Sequence, residues 1–398
     1  MDQTFDFLAG LRVIEVSAFV SAPLAGAILA SLGAEVIRVD PLEGSMDGDR
    51  WPLDQEGRSL YWAGLNEGKR SVTIDLSRNE GQELVVDLIV RGDGIVLTNN
   101  PAADYLGPSL EARRPDVIVC QITGHPRGVR AVDYTVNAAV GFPDVTGPAD
   151  ATAPVNATFP AWDVAAGLHA ALGLISAERR RQRTGQGARL TVSLYETALS
   201  LTGRLGIYAE LAAVGSTRPR IGNDLYGAFG RDFVTSDRRR VMIVAITAAQ
   251  FRRLAGATGL EGQLLRLETR LGLTLRSHGD LYQARNDVAA LLAPWFAARP
   301  MREVERILDK NGVLYAPYQS FSEAVAEEGV WSAGVYLRDA YRNDGTPVVL
   351  GPHPITDGTD LAPGHIPTPG EDTSAVLRDL LGYSPGMMKE LSSRRLVP

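Results

Sequence analysis

The chain opens with two short apolar segments separated by small residues, and this pattern constrains the fold more than any other feature. Leu11–Val16 and Glu35–Val39 have the length and composition of buried strands. Pro23–Leu32 is compatible with a helix, and Gly33 can end it in a left-handed conformation. A strand, a helix and a strand predict parallel strands joined by a right-handed crossover. Ligands bind beyond the carboxyl ends of such strands, so the loop 17–23 is a candidate ligand edge.

The alternation of strands and helices continues through the first half of the chain. Further apolar runs and helical periodicities lie at 71–76, 80–91, 94–98, 117–122, 163–181, 189–194 and 195–213. Together they predict a doubly wound α/β domain with a parallel sheet over residues 1–215. The composition then changes, which predicts a smaller α+β domain over 222–330. The Pro- and Gly-rich segment 332–398 is predicted to be a connection with a final helix that returns to the first domain.

The composition limits the partners that the chain can have. Its 398 residues carry a formal net charge of −7, which disfavours a nucleic-acid partner. The single cysteine, Cys120, and five scattered histidines give no metal-ligand spacing and no internal disulfide. No segment reaches the roughly 18 apolar residues of a membrane span, and the first residues are acidic, unlike a signal peptide. We therefore expect a cytoplasmic protein without a metal, a membrane or a nucleic-acid partner.

Common nucleotide-binding and hydrolase motifs do not occur in the sequence. The segment 64–71 has three residues between its glycines, whereas a phosphate-binding Walker loop needs four. The loop 17–23 contains no G-x-G-x-x-G, and no serine lies in a G-x-S-x-G turn. An NTPase, a nicotinamide enzyme and a serine hydrolase are thus disfavoured. Asp40 is predicted to be a turn residue, and Lys69 to be either solvated or near an anionic ligand.

Asp163 precedes a long apolar helical pattern and has two possible roles. Aspartate is a preferred N-cap residue, because its side chain accepts a hydrogen bond from the first turn of the helix. A helix N-terminus also favours the ionised carboxylate, which is the nucleophilic form of this side chain. Gly167, one turn later, would let another backbone approach closely. The sequence pattern alone leaves both roles open.

Several segments, in this order along the chain, resemble the class III CoA-transferase family. They are LAGLRVIEVSAFVSAPLAGAILASLGAEVIRVD, NEGKRSVTIDL, VDYTVNAAVGFPDVTG, PAWDVAAGLHAALGLISAERRRQRTGQGARLTVSLYETAL and PTPGEDTSAVLRDLLGY. The resemblance implies an acyl-CoA substrate and an interlocked homodimer. It also implies no cofactor beyond the CoA that the substrate carries as its thioester. The nucleophilic aspartate of the family falls on Asp163.

The resemblance also implies a set of CoA-binding residues. They are Val20, Ser21, Ile74, Arg78, Asn99 and Arg130. Two positions depart from the pattern of the family. Tyr105 stands where many transferases carry an arginine, which puts one phosphate contact in doubt. Val132 stands where related acyl-CoA racemases carry a catalytic histidine, and valine cannot move a proton, so a racemase is disfavoured.

Within the family, the segments SAFVSAPL, RWPLDQEGRSLYWAGLNEGKRS, FPAWDVAAG and GNDLYGAFGRDF are most similar to members that transfer CoA intramolecularly. This narrower resemblance implies transfer between the two carboxyl groups of a C5 unsaturated dicarboxylate, through an anhydride and an aspartyl-CoA thioester. Backbone N–H groups at the helix start are expected to stabilise the oxyanions. Two alternatives remain open: an intermolecular transferase that uses a free carboxylic acid, and a non-catalytic CoA-ester-binding protein.

Overall fold

The computed structural model describes residues 7–54, 56–101, 103–216, 218–326, 337–341, 346–349 and 365–398. In chain order the helices and strands are β1 (Arg12–Val16), α1 (Ser21–Ser31), β2 (Glu35–Asp40), α2 (Leu60–Asn66), β3 (Arg70–Thr73), α3 (Asn79–Arg91), β4 (Ile95–Thr98), α4 (Pro108–Arg113), β5 (Ile118–Thr123), α5 (Asp133–Ala139), α6 (Phe142–Val145), α7 (Ala161–Thr184), β6 (Ala188–Ser193), α8 (Leu194–Arg204), α9 (Ile207–Val214), β7 (Phe229–Val234), β8 (Arg240–Ala245), α10 (Ala248–Thr258), α11 (Glu261–Leu271), α12 (His278–Gln283), α13 (Arg285–Ala297), α14 (Met301–Lys310), β9 (Leu314–Pro317), α15 (Phe321–Ala326), β10 (Leu337–Tyr341), β11 (Thr346–Val349), α16 (Thr373–Leu381) and α17 (Pro385–Ser393). A short 3-10 helix, Asp104–Leu106, follows β4.

Six parallel strands form the central sheet, in the order β3-β2-β1-β4-β5-β6. The side chains of β1, β2 and β4 are buried almost throughout, as expected for a sheet covered on both faces. The strand order reverses between β1 and β4, and a crevice opens at such a switch point beyond the carboxyl ends of the strands. The predicted doubly wound α/β architecture is confirmed.

The prediction of one continuous helix over 195–213 is wrong, because the chain forms two helices there. Leu194–Arg204 and Ile207–Val214 are separated at Gly206, whose φ of +77° lies outside the right-handed helical region. Glycine adopts this left-handed conformation without the steric cost of a Cβ atom, so the helix ends and a second one begins.

The chain divides into two compact units. The first comprises the described parts of Met1–Val140, Thr158–Val214 and Glu328–Pro398, and the second comprises Gly141–Ala157 and Gly215–Glu327. The segment 141–157 thus groups with the second unit, whereas the sequence prediction placed it in a continuous first domain. Arg220 explains this grouping, because its guanidinium donates hydrogen bonds to the backbone oxygens of Asp144 and Ala153.

The second unit has a hydrophobic core of its own. Its antiparallel strands β7, β8 and β9 pair in that order, and helices α10 to α14 supply the rest of the core. The rings of Phe233 on β7 and Phe296 on α13 stack with their centroids 4.5 Å apart. This arrangement confirms the smaller α+β fold that the sequence predicted. Throughout the part of the chain that is described, no helix is both long and apolar enough to cross a bilayer.

Candidate active site

The loop after β1 is fixed at the switch point of the sheet by the residue that follows β4. Asn99 donates a hydrogen bond to the backbone oxygen of Ala18 at 2.6 Å and accepts one from its backbone nitrogen at 3.0 Å. The next residue, Phe19, has a φ of +64°, and its N–H donates to the carboxylate of Asp47 at 3.0 Å. Two long-range contacts therefore hold this loop in a strained conformation that an isolated chain would avoid.

A network of buried ion pairs is connected to the same loop through Asp47. Arg38 pairs with Asp40 at 3.0 Å and with Asp47 at 2.9 Å, and all three side chains are buried. Lys69 pairs with Glu15 at 2.9 Å, and burial lowers the pKa of this lysine to about 8. The predictions of a turn role for Asp40 and of a solvated or ligand-binding Lys69 are both wrong. Each charge instead has a buried partner in the first unit, which compensates for its loss of solvent.

Asp163 is the third residue of α7 and does not cap it. Pro160 occupies the N-cap position, and the acceptor comes from another helix, because Asp133 at the start of α5 is buried against the first turn. One oxygen of Asp133 accepts hydrogen bonds from the backbone N–H groups of Trp162 at 2.7 Å and Asp163 at 3.0 Å. The N-cap interpretation of Asp163 is therefore wrong, because its carboxylate does not cap the start of the helix.

The same contacts remove the predicted source of oxyanion stabilisation. The N–H groups of Trp162 and Asp163 donate to Asp133, and the N–H of Val164 donates to the oxygen of Pro160 at 3.1 Å. These groups are already engaged as donors within the first turn of α7. Stabilisation of a tetrahedral intermediate by these backbone groups would require the Asp133 contacts to break.

A close approach of two helices brings Ser21 to the carboxylate of Asp163. A Cβ atom at Gly167 would lie only 2.7 Å from the backbone oxygen of Ser21, so glycine is required where α1 meets α7. The close approach expected at Gly167 is confirmed. The hydroxyl of Ser21, the first residue of α1, lies close enough to the carboxylate of Asp163 to lower its pKa.

The surroundings of Asp163 raise its pKa to about 6. Burial is the largest cause, because it disfavours the charged form, and the nearby charge of Asp133 acts in the same direction. The hydrogen bond from Ser21 and the positive charge of Arg50 oppose this effect. A carboxylate with this pKa is ionised at neutral pH and is incompletely solvated, as a nucleophile requires.

Two further residues of the first unit lie near Asp163. Burial raises the pKa of the Tyr61 hydroxyl on α2. The charge of Arg50 lowers this pKa and that of Asp163 raises it. The guanidinium carbon of Arg50 lies 4.1 Å from the centroid of the Tyr61 ring. A carboxylate, a guanidinium and a phenol therefore share one side of the site.

The structure brings together only some of the predicted CoA-binding residues. Val20, Ser21 and Asn99 lie at the crevice between β1 and β4. Ile74 follows the edge strand β3 with its side chain fully buried, and Arg78 donates to the backbone oxygen of Arg394 at 2.8 Å. Arg130 is exposed and makes no hydrogen bond or ion pair with the residues described, so its side chain is free to contact a ligand.

The positions that depart from the family pattern have structural roles of their own. Tyr105 packs against the core of the first unit, where burial raises the pKa of its hydroxyl to about 12. Val132 is the exposed N-cap residue of α5, next to Asp133.

Burial raises the pKa of the Cys120 thiol to about 12, which confirms the prediction of a small apolar core residue. Within the described ranges no group of three or more potential metal ligands occurs.

Sequence reasoning missed the roles of Asp133, Arg50 and Tyr61. Asp133 carries the one available signal, since an acid immediately precedes an apolar segment that could form a short helix. Its contact with α7 joins residues 30 positions apart and has no local signature. Arg50 lies in the loop after β2, and Tyr61 lies in the short helix α2. Neither the loop nor so short a helix has a periodic pattern from which the positions of side chains could be predicted.

The doubly wound fold that carries the partly buried carboxylate of Asp163 is shared with known proteins. The chain matches CoA-transferase family III over residues 8–373 and belongs to that family. It is 43% identical to 2-methylfumaryl-CoA isomerase of Chloroflexus aurantiacus, over 98% of this chain and 97% of that protein. It is 30% identical to succinyl-CoA–D-citramalate CoA-transferase of the same organism, over 98% of each chain. A CAIB/BAIF family protein from Brucella suis has a similar structure, with a TM-score of 0.76, 26% identity, and coverage of 94% of this chain and 99% of that one.

Proposed function

We propose that this enzyme is a 2-methylfumaryl-CoA (mesaconyl-CoA) isomerase that moves CoA between the two carboxyl groups of one mesaconyl unit. Asp163 is the proposed nucleophile. The observation that carries the proposal is the identity of 43% over nearly the whole of both chains with a protein named for this activity. The partly buried carboxylate of Asp163, which is not used in capping, supports the role of this residue.

The first half of the proposed reaction transfers CoA to the enzyme. A carboxylate oxygen of Asp163 attacks the thioester carbonyl, the carbon–sulfur bond breaks, and the products are a mixed anhydride and the CoA thiolate. The thiolate then attacks the carbonyl carbon of Asp163. This step releases mesaconate as a dianion and leaves an aspartyl-CoA thioester.

The second half returns CoA to the other end of the same molecule. The carboxylate that was free in the substrate attacks the aspartyl thioester, which forms a new anhydride and expels the thiolate again. Attack of the thiolate on the acyl carbonyl restores Asp163 and yields the isomeric CoA ester. Both anhydrides react with water, so the site must exclude it until transfer is complete.

The proposed CoA site includes Val20, Ser21 and Asn99 at the crevice, with Arg130 as a further contact. Ile74 and Arg78 remain proposed contacts only through the backbone or after a change in side-chain position. The CoA carried by the substrate is the only cofactor that we propose. Family resemblance and the exposed apolar surface of α9 support a homodimer, and the amino-acid composition supports a cytoplasmic location.

Product analysis with a labelled acceptor tests the proposed function. The purified protein is supplied with mesaconyl-C1-CoA and isotopically labelled free mesaconate, and the CoA esters are separated by chromatography. We expect the C4 ester to form without label, because the dicarboxylate stays in the site. Label in the ester would indicate the intermolecular alternative, and binding without any product would indicate a non-catalytic CoA-ester-binding protein.

A further inference from the structure

The guanidinium of Arg50 has no acceptor for one of its nitrogen atoms. Nη1 is buried and makes no hydrogen bond with any residue that the structure describes, and no carboxylate among those residues pairs with the group. An unsatisfied buried donor destabilises a protein, and a charged one does so more strongly. Nearby Arg58 differs, because its Nε donates to Asp54 at 2.6 Å. Arg50 is therefore placed for an acceptor that the described residues do not supply.

Both the backbone and the ring contacts of Arg50 fix the position of its side chain. Its N–H donates to the backbone oxygen of Asp47 at 3.3 Å, and its own carbonyl accepts from the hydroxyl of Ser59 at 2.6 Å. The guanidinium carbon lies 4.1 Å from the ring centroid of Tyr61 and 5.6 Å from that of Phe19. Asp47 belongs to the buried network of Arg38 and also anchors Phe19. The cation is thus oriented before any ligand binds.

The same cation lies near the nucleophile without pairing with it. The charge of Arg50 lowers the pKa of Asp163 and that of Tyr61, so all three groups lie within electrostatic range. A direct ion pair would hold Asp163 in place and reduce its reactivity. The separation leaves Asp163 available to a carbonyl carbon while Arg50 remains available to an anion.

We propose that Arg50 binds the free carboxylate of the dicarboxylyl-CoA ester and sets the preference of the enzyme for dicarboxylyl over monocarboxylyl esters. The inference rests on the proposed function and extends it to a named residue. A planar guanidinium can bind a carboxylate through two parallel hydrogen bonds, which a lysine cannot reproduce.

This assignment also gives Arg50 a role when the two ends of the dicarboxylate exchange positions in the site. In the starting ester one carboxyl group is a thioester and the other is bound by Arg50. After CoA has moved to Asp163, the carboxylate held by Arg50 leaves it to attack the aspartyl thioester. The carboxylate released in the first half then takes its place on Arg50. The exchange of the two ends on one guanidinium accounts for intramolecular transfer.

Binding of two matched esters tests the inference separately from catalysis. Isocrotonyl-CoA, the Z isomer of 2-butenoyl-CoA, has the acyl skeleton of mesaconyl-C4-CoA without the free carboxylate. In an Asp163→Asn background, which blocks turnover, calorimetry is expected to show about 10- to 100-fold tighter binding of mesaconyl-CoA, the value of a charge-assisted pair. Adding Arg50→Met should bring the ratio close to one and leave the affinity for isocrotonyl-CoA unchanged. Adding Arg50→Lys should leave an intermediate ratio.

Arg58→Met is the matched control, because it removes one positive charge from the same segment at an arginine already paired with Asp54. It should leave the ratio of affinities intact. A ratio that survives Arg50→Met would overturn the inference, and so would an equal loss of affinity for both esters in both Arg50 variants. If the wild-type protein isomerises mesaconyl-CoA in either case, the proposed function stands without Arg50. Absence of both isomerisation and ester binding would reject the two proposals together.

Discussion

Asp163 and Asp133 have different environments although their residues meet at the start of one helix. Asp133 is buried and satisfied by two backbone N–H groups, whereas Asp163 keeps a partly buried carboxylate whose pKa is raised to about 6. The sequence could predict Asp163 as a candidate, because helix periodicity and family resemblance both lead to it. It could not assign the cap, because the competing acceptor is an aspartate on another helix. Only the tertiary structure could therefore show which of the two aspartates accepts hydrogen bonds from the first turn of α7.

The acid side of the pH–rate profile depends on both aspartates. Asp163 must be ionised to attack, so kcat/KM for mesaconyl-CoA should fall below a pH of about 6. Asp133→Asn should move this limb to lower pH, since the charge of Asp133 is one cause of the raised pKa. Steady-state rates between pH 4.5 and 8 (roughly the range in which carboxylates and histidines titrate) measure the shift. A limb that stays in place in Asp133→Asn would contradict this electrostatic account.

The raised pKa of Asp163 also predicts a gain in stability on its removal. A carboxyl group whose pKa is higher in the folded than in the unfolded state opposes folding once it is ionised. For Asp163 this cost develops as pH rises from the unfolded-state pKa of about 4 and is complete above the folded-state pKa of about 6. Asp163→Asn should stabilise the protein at pH 8 relative to pH 4 by up to about 3 kcal/mol. Urea unfolding at both pH values measures this difference. Asp150→Asn, at an exposed carboxylate, is the control, and an equal effect of the two variants would contradict the prediction.

The regular elements of the first unit follow closely from apolar periodicity. Strands β1, β2 and β5 and helix α3 lie within one or two residues of their predicted ends. Short helices such as α2 and α5 were not predicted, because one or two turns give too little periodic signal. These two helices carry Tyr61 and Asp133. The elements that complete the site are thus the ones that pattern reasoning resolves least well.

The contact of α1 with α7 should control activity through a single glycine. Gly167→Ala would place a Cβ atom 2.7 Å from the backbone oxygen of Ser21 and push apart the helices that carry Ser21 and Asp163. We expect a loss of about 1–3 kcal/mol in unfolding free energy from overpacking, together with a lower kcat. Chemical denaturation and steady-state kinetics measure the two effects.

Gly173→Ala on the same helix is the matched control for Gly167→Ala. Its Cβ would lie 3.4 Å from a methyl group of Leu190, which is close to ordinary contact, and alanine is the better helix former. Near wild-type activity is expected for this variant. Equal activity of the two variants would show that the approach of α1 to α7 does not position Ser21.

At the scale of the whole molecule, the order β3-β2-β1-β4-β5-β6 places the switch point of the sheet between β1 and β4. The sequence could predict a parallel doubly wound sheet from its first three elements, since connection rules leave few other arrangements. It could not predict that residues 141–157 group with the second unit, because the hydrogen bonds of Arg220 join segments more than 60 residues apart. Local patterns carry no information about such contacts.

The surface of the first unit predicts a homodimer. In the part of the chain that the structure describes, helix α9 has no buried side chain although most of its residues are apolar, and Leu211 and Val214 are among the exposed ones. Sedimentation velocity should give the mass of two chains. Leu211→Glu combined with Val214→Glu should reduce the dimer, whereas Leu265→Glu, at an exposed leucine of the second unit, should not. A monomeric wild-type protein at micromolar concentration would contradict the prediction.

Chemical trapping of the aspartyl thioester tests the central claim most directly. The protein is mixed with mesaconyl-CoA and then with hydroxylamine, which converts the aspartyl-CoA thioester into a hydroxamate, and its peptides are analysed by mass spectrometry. The account predicts a hydroxamate at Asp163 that requires the substrate and does not form in Asp163→Asn. Isomerisation without modification of Asp163, or a hydroxamate on another carboxylate, would contradict the role of Asp163 as the carrier of CoA.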